Sequence, residues 1–192
     1  QEKDMFPADE FAKLISLERI KTSAPVFDFK KLDWLNGQYI KSKSNQELTD
    51  LISKDFAKEI PKELIIKFIP LVKERLRKLK DFPESVNFFI TAPEVPLILL
   101  TGQTKHGQTE IRQILLQTIK TYEENTTWET ARLEEAGHHL LETTGWTPRE
   151  LFMTIRVALS GKTATPPLFE MMEILGKNET LKRLENASKL IV

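Results

Sequence analysis

Three glycines constrain this chain more than any other feature. Gly145, Gly161 and Gly176 each follow a stretch that reads as a helix. Glycine just past a helix end takes the positive φ that closes it. The box Thr147-Pro148-Arg149-Glu150 opens one such helix, which stops at Gly161. Thr165-Pro166 opens the next, which stops at Gly176, and Asn178 caps a last one that runs close to the C-terminus. Upstream, Ile111, Ile114, Leu115, Thr118, Ile119 and Tyr122 follow the spacing i, i+3, i+4, i+7, i+8, i+11 of an amphipathic helix. A further helix runs from Thr127 or Trp128 to about Thr143. Connections are short and no fixed-period repeat is visible, so the fold class expected is all-α, two consecutive helical bundles.

The first half reads less evenly. Asp9 is placed as the cap of a short helix through Ile15, broken afterwards by Ser23-Ala24-Pro25. Asp28 caps a helix to about Lys43 with Leu32, Leu35, Tyr39 and Ile40 on one side. Trp34 faces elsewhere, to pack on the N-terminal segment, with stacking on RNA as the alternative. Ser44 and Glu47 form a capping box for a helix to about Phe56. Pro61 opens a helix whose stripe is Ile65, Phe68, Ile69, Val72, Leu76 and Leu79, with Pro70 expected to kink or split it. Its last turns, KERLRKLK at 73–80, carry five cations against one anion. That cluster suits phosphates, and equally the negative end of a helix dipole. A short segment runs from Phe82 to near Ile90, and residues 91–107 do not decide between helix and strand. The expected divisions are residues 1–27, 28–100 and 101–192.

With 28 basic and 28 acidic residues the formal charge is zero, so any RNA must be held by local clusters. There is no cysteine, which removes disulfides, thiolate nucleophiles and sulfur-ligated zinc. Glu134 and His138 have the spacing of a two-residue metal ligand pair but no apparent partners, and no metal is expected. Neither a nucleophile elbow nor a phosphate-binding glycine loop occurs. No apolar run approaches a membrane span, and the charged start QEKDMF argues against a signal peptide and for a piece of something longer. No enzyme site stands out.

What does stand out is the corner between Gly161 and the helix that follows, with Arg156 beside it. Unpaired N–H groups at a helix start suit an electron-rich ligand: phosphate, base edge, carboxylate or water. RVALSG at 156–161, TPPLFE at 165–170 and EILGK at 173–177 resemble the C-terminal anticodon-binding region of bacterial-type glutamyl-tRNA synthetases. KLDWLNGQYI at 31–40 resembles the segment leading into that region, and LKDFPE at 79–84 fits in the same order. Together these motifs span most of the chain.

The resemblance implies an anticodon-binding helical cage that selects tRNA(Glu). Residues 1–27 would be the edge of a stem-contact region, and the ATP-binding HIGH and KMSKS signatures would lie in an upstream catalytic domain. This stretch alone would not aminoacylate, and ATP and magnesium would serve the full-length enzyme only. A monomer in the cytoplasm is expected. The third anticodon base would be read by Arg75, with Arg77, Lys78 and Lys80 on phosphates. Guanidinium is donor-only and matches the acceptors O2 and N3 of cytosine, whereas guanine presents N1–H and N2–H and leaves the arginine unpaired. Arg75 thereby favours an enzyme that rejects glutamine tRNA. Arg156, Thr165, Pro166 and Leu168 would meet the first two bases, with Pro167 deleting one backbone donor. Read from the residues alone, Arg156 could instead pair with Glu150 or Glu170. Two competing readings are an all-helical protein-interaction scaffold and the cage of another class I synthetase, such as the lysyl type.

Overall fold

Helices carry the whole architecture, and no strand occurs among the described residues. The computed structural model describes residues 6–16 and 26–191; Ser23-Ala24-Pro25 lies outside them. In order, the helices are α1 (Ala8–Leu14), α2 (Phe29–Ser42), α3 (Asn45–Asp55), α4 (Lys62–Val72), α5 (Phe82–Ile90), α6 (Leu97–Thr101), α7 (Gln108–Glu123), α8 (Thr130–Thr144), α9 (Pro148–Ser160), α10 (Leu168–Leu175) and α11 (Lys177–Lys189). Turns of 3₁₀ helix occupy Lys73–Arg75 and Leu79–Asp81.

Two compact units make up the chain, and they divide between Phe82 and Pro83 rather than near residue 100. The reason is burial. Phe88 of α5 and Leu100 of α6 share one core with Ile111, Leu115, Leu133, Leu151, Leu159, Met171 and Leu184. In the first unit α3 packs on α4, burying Leu48, Ile52, Ile65, Phe68, Ile69 and Val72. In the second, α11 lies along α7 and α9, and α10 lies on α8.

Several starts and stops fall where local chemistry puts them. The hydroxyls of Ser44 and Thr147 accept from the N–H groups of Glu47 and Glu150, and each glutamate reaches back to its cap. Asp28 accepts from the N–H of Lys30 at 2.8 Å. Gly145 and Gly161 close α8 and α9 with φ near 70°. Other boundaries moved. Asp9 lies inside α1, whose cap is Pro7, and Gly176 rather than Asn178 precedes α11. α4 ends at Val72, so KERLRKLK is no helix end. Pro70 has no N–H to donate, and beyond Val72 the chain tightens into a 3₁₀ turn and then extends at Leu76 (φ −66°, ψ 129°). On α2, Ile40 is buried, but Leu32 and Tyr39 are 46% and 45% exposed and Trp34 is 42% exposed.

The reciprocal boxes have a pH consequence. The backbone N–H and hydroxyl of Ser44 hold Glu47 below its ordinary value of 4.5. The Gly107 N–H, and then His106, do the same for Glu110, as does the Thr147 hydroxyl, followed by Thr104, for Glu150. A carboxylate lowered in the folded state stabilises fully above its ordinary value, and that contribution is lost as pH falls through the folded one. The thermal midpoint should therefore drop as the pH falls below their ordinary value of 4.5. Changing Glu47, Glu110 and Glu150 together to glutamine should make that drop shallower, measured by circular dichroism melts.

Candidate nucleic-acid interface

The first candidate surface lies in the unit ending at Phe82. Its basic segment is presented by irregular backbone between α4 and α5, where Arg75, Arg77 and Lys80 are exposed. Not every cation there faces outward. Lys73 Nζ donates to the carbonyl of Lys43, at the C-terminal cap of α2, over 2.5 Å. Lys78 Nζ lies 2.9 Å from Asp33 Oδ1. Of the residues expected to hold phosphates, Arg77 and Lys80 are exposed, with the side chain of Arg77 lying across Gly37, while Lys78 is half-buried in an ion pair.

The second surface lies in the other unit, between α9 and α10. α10 begins at Leu168, with Pro167 as its cap (φ −53°, ψ 140°), not at Thr165. The residue before a proline is driven out of the helical region. Thr165 precedes Pro166, which itself precedes Pro167, so no helix can start until the pair is passed. Arg156 is half-buried. Its Nη1 donates to the Pro166 carbonyl at 2.6 Å, to the Thr165 carbonyl at 3.3 Å and to the Thr165 hydroxyl. That hydroxyl donates onward to the Pro166 carbonyl at 3.0 Å. Thr165 and Leu168 are each only 4% exposed and Pro166 is buried, so the outward surface of the corner is Thr163, Ala164 and Pro167. Three of the four residues singled out at this corner thus form its underside, pinned by the fourth.

Behind the corner sits a buried arginine that no motif marks. Arg183 of α11 is 5% exposed. Its Nη1 donates to Phe88 O at 2.6 Å and to Leu159 O at 2.9 Å, and its Nε to Glu179 at 2.7 Å. Both carbonyls lie in the last turns of their helices, α5 and α9, where no intrahelical donor reaches them. A positive charge at two negative helix ends is well placed. The only hint in the sequence was the i, i+4 spacing of Glu179 and Arg183. Lys162 adds a bond from its Nζ to Glu84 O at 3.1 Å, and Ser160 Oγ accepts from Lys162 N at 3.1 Å.

Elsewhere the candidates are weaker. Glu134 and His138 are 3.8 Å apart on the exposed face of α8, and no group of three His, Asp or Glu residues converges on a metal position among the described residues. His106 stacks on Trp146 with ring centroids 4.2 Å apart. Among the described residues no helix is long and apolar enough to cross a membrane.

Residues 34–188 match the model of the family described as Anticodon binding domain. The chain belongs to that family. The match takes in both units of this anticodon-binding domain. It is 30% identical over 196 residues to a glutamate–tRNA ligase of Elusimicrobium minutum, covering 98% of the chain and 40% of the relative. It is 33% identical over 193 residues to one from Herpetosiphon aurantiacus, covering 94% and 38%. Among solved structures it is similar to a glutamate tRNA ligase from Elizabethkingia meningosepticum in complex with its amino acid. There the TM-score is 0.80 and identity 26%, over 96% of this chain and 37% of that one. The domain therefore spans about 40% of the length of the relatives it matches, and its all-helical fold is shared with the matched part of the solved ligase.

Proposed function

We propose that this domain is the tRNA-selecting part of a glutamate–tRNA ligase and that it grips the anticodon loop of tRNA(Glu). The observation that carries the reading is the extent of the likeness, 98% of the chain against a ligase of that name. ATP and magnesium would act in an upstream catalytic domain of the longer, cytoplasmic and monomeric enzyme; the present chain supplies recognition alone.

Arg75 is the reader of the third anticodon base. It stands exposed at the end of a 3₁₀ turn, where two N–H groups can engage O2 and N3 of a cytosine together. Arg77 and Lys80 hold phosphates, giving affinity without sequence information, and Lys78 shares its charge with Asp33. At the other corner Arg156 acts from behind. With Thr165, Pro166 and Leu168 it fixes the shape of the loop, and Thr163, Ala164 and Pro167 present that shape to the first two bases. The proline ring and short side chains tolerate either pyrimidine.

Fluorescence anisotropy with an anticodon stem-loop RNA tests the reading. Wild-type chain should bind the glutamate stem-loop in a salt-dependent manner, and Arg75→Ala should weaken it by roughly 10- to 100-fold, the scale of one bidentate base contact. A change of the third base from C to G should cost the wild type a similar factor and the variant little. Equal retention of glutamate and unrelated stem-loops would leave only nonspecific basic binding.

A further inference from the structure

The motif KLDWLNGQYI lies within α2. In the structure Asp33, Asn36, Gly37, Ile40 and Lys41 recur along one side of α2 at i, i+3, i+4, i+7 and i+8, and that side meets residues 73–78. Lys41 Nζ lies 2.9 Å from Glu74 Oε2. The side-chain amide of Asn36 donates to the carbonyl of Arg77. Asp33 pairs with Lys78 at 2.9 Å, and Lys73 reaches the Lys43 carbonyl. Gly37 is buried, with the side chain of Arg77, guanidinium included, across it. A Cβ there would stand 3.1 Å from Arg77 Nη1, 3.3 Å from its Cδ and 3.3 Å from Leu76 O.

These bonds bracket Arg75. Residues 73 and 74 are held on one side of it, and 76, 77 and 78 on the other. The segment has little regular structure to shape it: the 3₁₀ turn stops at Arg75, and Leu76 and Lys78 are extended. A backbone carbonyl in such a segment has no helical or sheet partner, so a side chain or water supplies the donor. Asn36 does so two residues after Arg75. A bidentate contact loses its value when the fork is misplaced by even about an ångström.

We infer that Asn36 and Gly37 are positioning residues for Arg75, setting the path of residues 76–78 so that the guanidinium points where the third anticodon base is read. The inference rests on the proposed role of Arg75. Asn36 supplies the fixed donor, and Gly37 supplies the absence of a side chain that lets Leu76 and Arg77 come close.

The test compares wild type, Asn36→Ala, Arg75→Ala and the double variant of the full chain. Each is titrated with glutamate anticodon stem-loops carrying C or G at the third position, and each is melted. The ratio of the two dissociation constants should fall roughly 3- to 10-fold in Asn36→Ala, the scale of one hydrogen bond. Binding of the G form should hardly change, and Asn36→Ala should add nothing to Arg75→Ala. Asn36→Gln, which keeps a donor, should recover part of the ratio, and Gly37→Ala should lower it with every hydrogen bond retained. Should Asn36→Ala fail to fold, Gly37→Ala carries the comparison. An Asn36→Ala variant that weakens both RNAs equally, or that lowers the ratio just as much without Arg75, overturns the inference. A wild-type ratio in Asn36→Ala beside a lost one in Arg75→Ala sinks it alone. A wild type that does not discriminate, or an Arg75→Ala variant that still does, removes the role of Arg75 and this inference with it.

Discussion

Replacing Arg183 with methionine should destabilise the unit formed by residues 83–192 by about 3–4 kcal/mol. The side chain is 5% exposed and serves two carbonyls at once, those of Phe88 and Leu159. Methionine fills much of the same volume but donates nothing, so two buried acceptors at helix ends lose their partner. Leaving a buried polar group unsatisfied costs about 1–3 kcal/mol each. Glu179 is the lesser part of the effect, because its side chain is 35% exposed and regains water. Urea unfolding followed by tryptophan fluorescence reports on this unit through Trp128 and Trp146. Arg183→Lys, which keeps the charge but cannot fork between two helices, should fall between the two. A methionine variant within about 1 kcal/mol of wild type would mean that water reaches those carbonyls.

Gly161→Ala should cost about 3 kcal/mol, well above Gly145→Ala at about 1 kcal/mol. Both glycines have left-handed backbone, φ 67° and 70°. Any L-residue meets that strain, worth about 1–2 kcal/mol. The difference is space. Nothing lies within 4 Å of a Cβ at Gly145, whereas one at Gly161 would be 2.4 Å from the Glu94 carbonyl oxygen. That oxygen belongs to backbone, which cannot rotate aside as a side chain would. Either residues 93–94 or the whole 161–167 corner must move. The expected companion result is a loss of stem-loop affinity in Gly161→Ala that Gly145→Ala does not share. Equal destabilisation of the two variants would show that the approach of Glu94 imposes no constraint.

Signals confined to a few neighbouring residues were legible in advance. Ser44 with Glu47, Thr147 with Glu150, Asp28, and the glycines at 145 and 161 stop or start helices through bonds that span no more than four residues. The α7 stripe was equally plain, and all six of its named positions are buried. Where two local rules compete, tertiary structure decides between them. Thr165-Pro166 looks like a helix start, but the second proline forbids helical backbone before it, and α10 waits until Leu168. Pro70 was expected to kink or split its helix, and that helix ends two residues later. α6, five residues between prolines and Gly102, has too little length for its period to show.

By itself, then, the amino-acid order determined the family, the all-α class and most helix ends, because periodicity and capping act through adjacent turns and need no knowledge of packing. The allotment of its cations was settled only in three dimensions. Five charges at 73–80 look alike on paper. Folded, Lys73 caps α2, Lys78 answers Asp33 and Arg77 lies across Gly37, while Lys80 is exposed. Lys177 likewise serves the Glu123 carbonyl at the end of α7, Arg183 serves α5 and α9, and Arg156 binds the loop it was expected to read with. The physical reason is that carbonyls at helix C-termini need donors from outside the helix. Which lysine or arginine arrives there depends on how distant turns pack.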